Sequence, residues 1–163
     1  MARTDSFFIR ATTRTNGTTY SESALDLGSY VDALGKSVLR IHNISVEYGV
    51  PLGAYAGAPN TSTGSAFQLT TQSQLNLVPI SNRSVISAGG LQVGTSATHV
   101  DMLSDALNVS PQDWTDGYLI AVEQLYLGVD QSFDHASQVS IVLECTVETM
   151  TQAAAMALAL SQQ

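Results

Sequence analysis

Four shortages in this sequence narrow the classes of protein to which it can belong. Asp, Glu, Lys and Arg make up 12% of its 163 residues, against roughly 25% in typical soluble domains. Only 6 residues are Lys or Arg and the net charge is -8, which argues against wrapping of nucleic acid, since phosphate binding needs many cations. The single cysteine excludes an intrachain disulfide. No apolar run reaches the ~18–20 residues that span a bilayer.

Hydroxyl side chains take the place of the missing charges, because Ser and Thr supply most of the uncharged polar residues. A surface with few charges repels other copies of itself only weakly, so this composition favours association of subunits. The alternative explanation is an ordinary β-domain, since sheets favour Thr and disfavour Lys and Glu.

The clearest structural signal is a strict alternation of apolar and more polar residues near the C-terminus. Successive side chains of a strand point to opposite faces of the sheet, so this pattern predicts a long strand with one buried face. Cys145 lies on the apolar side, where a buried structural thiol is expected. The apolar side consists of Val139, Ile141, Leu143, Cys145 and Val147.

Further alternating segments predict several shorter strands. In residues 67–77 the large apolar residues all fall at odd-numbered positions, which is consistent with either one long strand or two strands joined by a tight turn. Residues 50–65 hold five Gly or Pro residues and predict an exposed loop. Residues 21–34 are expected to form turns or loops, because Gly28 and Gly35 would break a helix there. The remaining predicted strands lie at residues 7–13, 85–86, 91–93 and 99–103.

Two segments change the parity of their apolar residues halfway along. In residues 37–48 the apolar positions shift by one at His42 and Asn43, which indicates a β-bulge or a sharp bend. Residues 120–129 repeat the pattern around Glu123 and Gln124. The two segments are predicted either to pair as neighbours or to occupy equivalent places in two facing sheets, unless the similarity is accidental.

Two helices are predicted. Ser110, Pro111 and Asp113 form a helix start, with Ser as N-cap, Pro at the first position and an acid in the first turn. Residues 149–163 are rich in Ala and predict a C-terminal helix that is apolar on most sides between Ala153 and Leu160. A helix this short needs a surface to pack against.

No catalytic motif is present, so we expect neither an enzyme nor a cofactor. The sequence lacks the Gly-x-Ser-x-Gly elbow and the Lys-Ser/Thr of a phosphate-binding loop. Acidic residues at strand ends are usually solvated, so we expect no metal. The two acidic groups without a metal-binding spacing are His99, Asp101 and Asp105, and Asp130, Asp134 and His135.

These patterns predict an all-β fold, a single antiparallel β-sandwich of the jelly-roll type with one short helix and a C-terminal helix. The chain resembles the small single jelly-roll capsid proteins of icosahedral viruses, especially those of archaea and bacteria. Such proteins build shells without catalytic residues, so the resemblance implies a virion structural protein. The segments that carry it are residues 2–14, SVLRIHNISVEYG (37–49), GYLIAVEQLYLGVD (117–130) and QVSIVLECTVET (138–149).

Residues 1–163 are interpreted as one domain with an N-terminal arm at 1–14 and a helical tail at 149–163. The arm carries Arg3, Arg10 and Arg14 beside one aspartate. This small charge argues against condensing a genome and favours pairing with carboxylates of a neighbouring copy. The tail offers an apolar helix for assembly through Met156, Leu158 and Leu160. The expected partners are other copies of the chain and further virion proteins.

The alternative is a carbohydrate- or receptor-binding module, such as a spike, fibre head or lectin-like domain. Its site would lie in residues 50–65 and around Trp114, although a lone Trp is more often a packing residue. For the capsid interpretation we predict that deleting residues 2–14 or 153–163 leaves the domain folded and impairs assembly.

Overall fold

The computed structural model describes residues 3–15, 17, 19–32, 34, 36–49, 60–132 and 138–163, with the backbone alone at residues 100–102. Nine strands and two helices follow one another in this part of the chain. They are β1 (Phe7–Arg14), β2 (Ser21–Asp26), β3 (Ser37–Tyr48), β4 (Ser62–Thr70), β5 (Val85–Thr95), β6 (Val100–Val109), a 3₁₀ helix η1 (Pro111–Asp113), β7 (Tyr118–Ile120), β8 (Gln124–Gln131), β9 (Gln138–Thr149) and α1 (Gln152–Ser161).

The strands form two antiparallel sheets that pack face to face. The first sheet has the order β1-β9-β3-β7, and the second has the order β2-β8-β4-β5-β6. The chain crosses from one sheet to the other at most connections, as in a jelly roll, and β6 extends the second sheet by one strand. The predicted fold class is therefore confirmed.

Strand β9 lies at the centre of the first sheet, between β1 and β3. Its inward residues from Val139 to Cys145 are buried, as the alternation predicts. Strand β1 pairs with β9 along its whole length, from Phe7 opposite Cys145 to Arg14 opposite Gln138. Residues 7–14 are thus an edge strand of the sheet, and the half-buried Phe7, Ile9 and Ala11 pack against the core.

The parity change in β3 is a β-bulge. Ile41 lies opposite Cys145 and Asn43 lies opposite Glu144, so His42 is the extra residue. The bulge keeps the next apolar residue, Ile44, buried in the core. The similar pattern at residues 120–129 has another cause, because β7 belongs to the first sheet and β8 to the second. The chain changes sheets there, although β7 does pair with β3.

Three predicted boundaries were wrong. Residues 21–26 form β2 instead of a turn, because they pair with β8 from Ser21 opposite Val129 to Asp26 opposite Gln124. Residues 62–65 belong to β4 rather than to the loop, whose residues 50–59 lie outside the described part. Residues 85–95 form one strand through Gly89 and Gly90, since β4 and β6 pair with it on either side. Strand pairing overrode the local Gly and Ser signals in each case.

The two predicted helices are present. In η1 the Asp113 carboxylate accepts hydrogen bonds from the backbone N–H and the hydroxyl of Ser110, at 2.9 and 3.0 Å. In α1 the Thr151 hydroxyl accepts from the Ala154 N–H. Of the helices in the described residues, neither is long and apolar enough to cross a bilayer.

Gly117 holds the turn that leads into β7, and we predict that it tolerates no side chain. Its φ is +67°, and a Cβ there would collide with the Ile41 carbonyl oxygen. Gly17 is a matched control with a φ of +65° and nothing within 4 Å of a Cβ. We expect Gly17→Ala to cost about 1 kcal/mol, the left-handed backbone penalty, and Gly117→Ala to cost at least about 2 kcal/mol more. Equal losses in urea unfolding would contradict this crowding.

Candidate assembly surfaces

A connected set of polar side chains covers the outer face of the first sheet around Glu148. The Glu148 side chain is only 4% exposed, and Arg40 donates to both of its carboxylate oxygens at 2.6 and 2.9 Å. Arg3 reaches the same carboxylate at 3.2 Å from the N-terminal side. Arg40 also donates to the Asp116 carbonyl oxygen at 2.6 Å. This network ties residues from both ends of the chain to β3.

His42, the bulge residue, completes the network. Its Nε2 lies 2.6 Å from Arg3 Nη2 and 2.9 Å from the Thr146 hydroxyl. Both neighbours can donate, so the neutral ring that accepts at Nε2 fits the site. Burial, and then the nearby Arg3 charge, lower the pKa of His42. The hydrogen bond from Arg40 is the main cause that lowers the pKa of Glu148.

The three arginines predicted for assembly fall into two groups. Arg3 is already bound to Glu148 of its own chain. Arg10 and Arg14 are exposed on the outer side of β1, and neither makes an ion pair within the described residues. The Arg10 guanidinium lies over the ring of Phe8, 5.8 Å from its centroid, and Phe8 is 55% exposed. Two arginines are therefore left for a partner.

The helix α1 packs on the domain through its small residues. Ala155 and Ala159 are buried against Val38 and Ala121, and Leu158 is half-buried at the same contact. The two other predicted assembly residues, Met156 and Leu160, are 41% and 69% exposed. The alanines permit close approach of the helix to the sheet, and the larger apolar side chains remain on the outside.

Glutamine side chains cover strand edges in a way that the sequence does not reveal. The side chain of the buried Gln162 accepts a hydrogen bond from the Ala121 N–H at 2.9 Å and donates one to the Leu119 carbonyl oxygen at 2.7 Å. Its amide thus makes the two backbone hydrogen bonds at β7 that a neighbouring strand would make. Gln112 makes the same two bonds to Ile44 of β3, at 3.0 and 3.1 Å. Edges covered in this way are protected from pairing with other chains.

Residues 71–84 form an exposed apolar loop, although residues 71–77 are predicted from the sequence to belong to strands. Strand β4 ends at Thr70, so Leu75 and Leu77 are not strand residues. Their alternate spacing therefore does not reflect a buried strand face. The Gln68 amide holds the loop against the second sheet by bonds to the Asn76 carbonyl oxygen and the Val78 N–H, at 3.0 and 2.8 Å. Leu75 is 90% exposed. The loop thus presents apolar side chains from a fixed backbone.

Groups with reactive chemistry are few on this structure. Cys145 is buried in the core, and this burial raises the pKa of its thiol to about 12, which makes it a poor nucleophile. In the part of the chain that the structure describes, no three His, Cys, Asp or Glu side chains gather as a metal site. Asp134 and His135 of the second acidic group lie outside the described residues.

Comparison with known proteins gives a distant structural likeness. The chain is similar to a solved structure from Desmodium yellow mottle tymovirus with 12% sequence identity and a TM-score of 0.33, over 90% of this chain and 89% of that one. No protein-family model and no curated protein matches the sequence.

Proposed function

We propose that the protein is a virion structural subunit that assembles with other copies of itself into a closed shell. The observation that carries the proposal is the number of large apolar side chains that are left exposed on strands, on α1 and in the connecting segments. Eleven are exposed in the described residues. Where such side chains lie together in a contiguous patch, they mark an interaction surface. They are Phe8, Tyr30, Leu34, Leu75, Leu77, Ile80, Leu103, Leu107, Trp114, Met156 and Leu160.

The distribution of these side chains supports a subunit with several neighbours. Eight of them lie on β1, on β6, on the loop at residues 71–84 and on α1, and the other three lie between β2 and β3 and directly after η1. A small ligand would need one concave site, whereas a shell subunit needs separate contacts on several sides. With 12% charged residues, few like charges meet when copies approach. The proposal assigns no catalysis and no cofactor to the chain, and places it in the virion.

The exposed face of α1 provides the test. The purified protein is expected to form rings or closed particles in electron microscopy and sedimentation. Changing both Met156→Ser and Leu160→Ser should prevent assembly and leave the folded monomer, since both side chains point away from the domain. Ala157→Ser is the control, because this exposed residue lies on the same helix and carries no large side chain. A wild-type chain that stays monomeric at high concentration across salt and pH would contradict the proposal.

A binding module for carbohydrate or a receptor is the second candidate, and one observation favours it. Trp114 follows η1 and is 54% exposed, although a packing role was expected for it. An exposed indole is a common stacking surface for ligands. Glycan binding that is lost in Trp114→Ala, by a chain that does not assemble, would favour this function.

A further inference from the structure

We propose that β1 of one copy pairs antiparallel with β6 of a second copy, joining the first sheet of one subunit to the second sheet of the next. This inference rests on the proposed function and names the contact between subunits. Strand β1 is one edge of the first sheet, whose other edge is β7, and β6 is one edge of the second sheet, whose other edge is β2. Pairing of β1 with β6 joins two different surfaces of the chain, so the contact is head-to-tail.

Both edges are open. Glutamine amides cover β3 at Ile44 and the chain at Leu119 and Ala121 by β7, as described above. In the described residues, no side chain bonds in this way to the outer edge of β1 or to residues 103–108 of β6. In β6, residues 103–108 are exposed on both faces, so this strand projects past the opposite sheet. An open edge presents unpaired backbone groups that accept another strand.

The charges identify a second copy as the occupant. The outer side of β1 carries Arg10 and Arg14 and no acid, whereas β6 carries aspartates and no Lys or Arg. Asp105 is exposed, and the ion pairs found in the described residues involve neither Asp105 nor Arg10. Each edge therefore lacks the charge that the other one supplies.

One antiparallel register matches the side chains of the two strands. With Arg10 opposite Asp105, Phe8 falls opposite Leu107 and Thr12 falls opposite Leu103. Phe8 and Leu107 are 55% and 42% exposed in the single chain and would cover each other. Opposite charges and apolar pairs that face each other directly stabilise antiparallel strands.

The groove beside β6 leaves space for the arriving side chains. A cavity of about 280 Å³ lies between the two sheets, lined by Ile44 and Val46 of β3 and by Asp105 and Leu107 of β6. The side chains of Leu103, Asp105 and Leu107 share one side of β6, since their partners Val93, Leu91 and Gly89 alternate along β5. Phe8 and Arg10 of the second copy would enter the groove on that side.

A charge-swap cycle tests the contact in the full-length chain. Arg10→Asp and Asp105→Arg each place like charges opposite each other, so each should raise the protein concentration needed for assembly at least about tenfold. The double variant restores an opposite pair in every contact and should assemble within about threefold of wild type. Glu47→Arg, which makes the same charge change at an exposed residue of β3, is the control and should have no effect. Circular dichroism of each variant verifies folding.

Engineered cysteines test the register. Phe8→Cys with Leu107→Cys should form disulfides between copies, because directly opposite residues meet the geometry of the bond. Phe8→Cys with Leu103→Cys, displaced by four residues, should not. Single charge variants that assemble normally, or equal crosslinking of both pairs, would overturn the β1–β6 contact and leave the shell function standing. A wild-type chain that never assembles would overturn both.

Discussion

Removal of residues 1–14 is expected to abolish cooperative folding, because these residues include a complete strand of the first sheet. The deletion would leave one side of β9 without its eight backbone partners and remove Phe7, Ile9 and Ala11 from the core. It would also remove Arg3 from Glu148. Phe7 and Ile9 are half-buried, so each contributes less than the ~1.5–3 kcal/mol of a fully buried large side chain. Together with the lost strand pairing and ion pair, the loss is a large part of the roughly 5–15 kcal/mol typical of a domain.

This result differs from the expectation that the segment is a dispensable arm. The measurements are urea unfolding and near-ultraviolet circular dichroism of the truncated chain. We expect loss of the sigmoidal transition and of the dichroism signal. Two point variants compare the contributions of the inward and outward faces of β1 to stability. Ile9→Ala should cost about 2 kcal/mol because its side chain packs inward, whereas Phe8→Ala should cost less than about 0.5 kcal/mol. A truncated chain with a normal transition would mean that β9 tolerates an open edge.

The second large effect is expected at Glu148. Replacing it by Gln keeps the shape and leaves the Arg40 guanidinium, whose side chain is 12% exposed, without its carboxylate. Breaking a buried ion pair by removing one partner costs about 3–5 kcal/mol, so we expect Glu148→Gln to lower the free energy of unfolding by about 3 kcal/mol. The melting temperature should fall by about 6–12 °C, at 2–4 °C per kcal/mol for a domain of this size.

Glu47→Gln is the matched control, because it makes the same substitution at an exposed position of the first sheet. Its unfolding free energy should stay within about 0.5 kcal/mol of wild type. If both variants unfold at the same urea concentration, the Arg40–Glu148 pair contributes no net stability.

The same network predicts a loss of stability in acid. The pKa of Glu148 is lowered in the folded state, so its contribution is complete above the ordinary carboxyl pKa and disappears as the pH falls through the folded pKa. The pKa of His42 is also lowered, so protonation of this ring below about pH 6.5 opposes folding too. Both groups thus destabilise the fold as the pH falls. The Glu148→Gln variant should show a smaller decrease in stability below pH 5 than wild type.

Local patterns in the sequence determined the elements whose signals are short-range. The alternation of β9, the bulge at His42 and the helix start at Ser110 each follow from residues close together in the chain. Period-2 alternation fixes which face of a strand is buried, and capping fixes where a helix begins. These features also sufficed to predict an all-β sandwich with a C-terminal helix.

Only the tertiary structure decided which strands are neighbours and which polar groups meet. The alternation of apolar and polar residues does not predict that β1 lies beside β9, or that Arg40 pairs with a carboxylate 108 residues away. The amides of Gln112 and Gln162 pair with backbone groups that are distant in sequence. Strand neighbours are set by hydrogen bonds and burial summed over the whole sheet, so no local window contains them. For the same reason, the edge positions of β1 and β6 and the complementary charges that they carry are evident only in the folded chain.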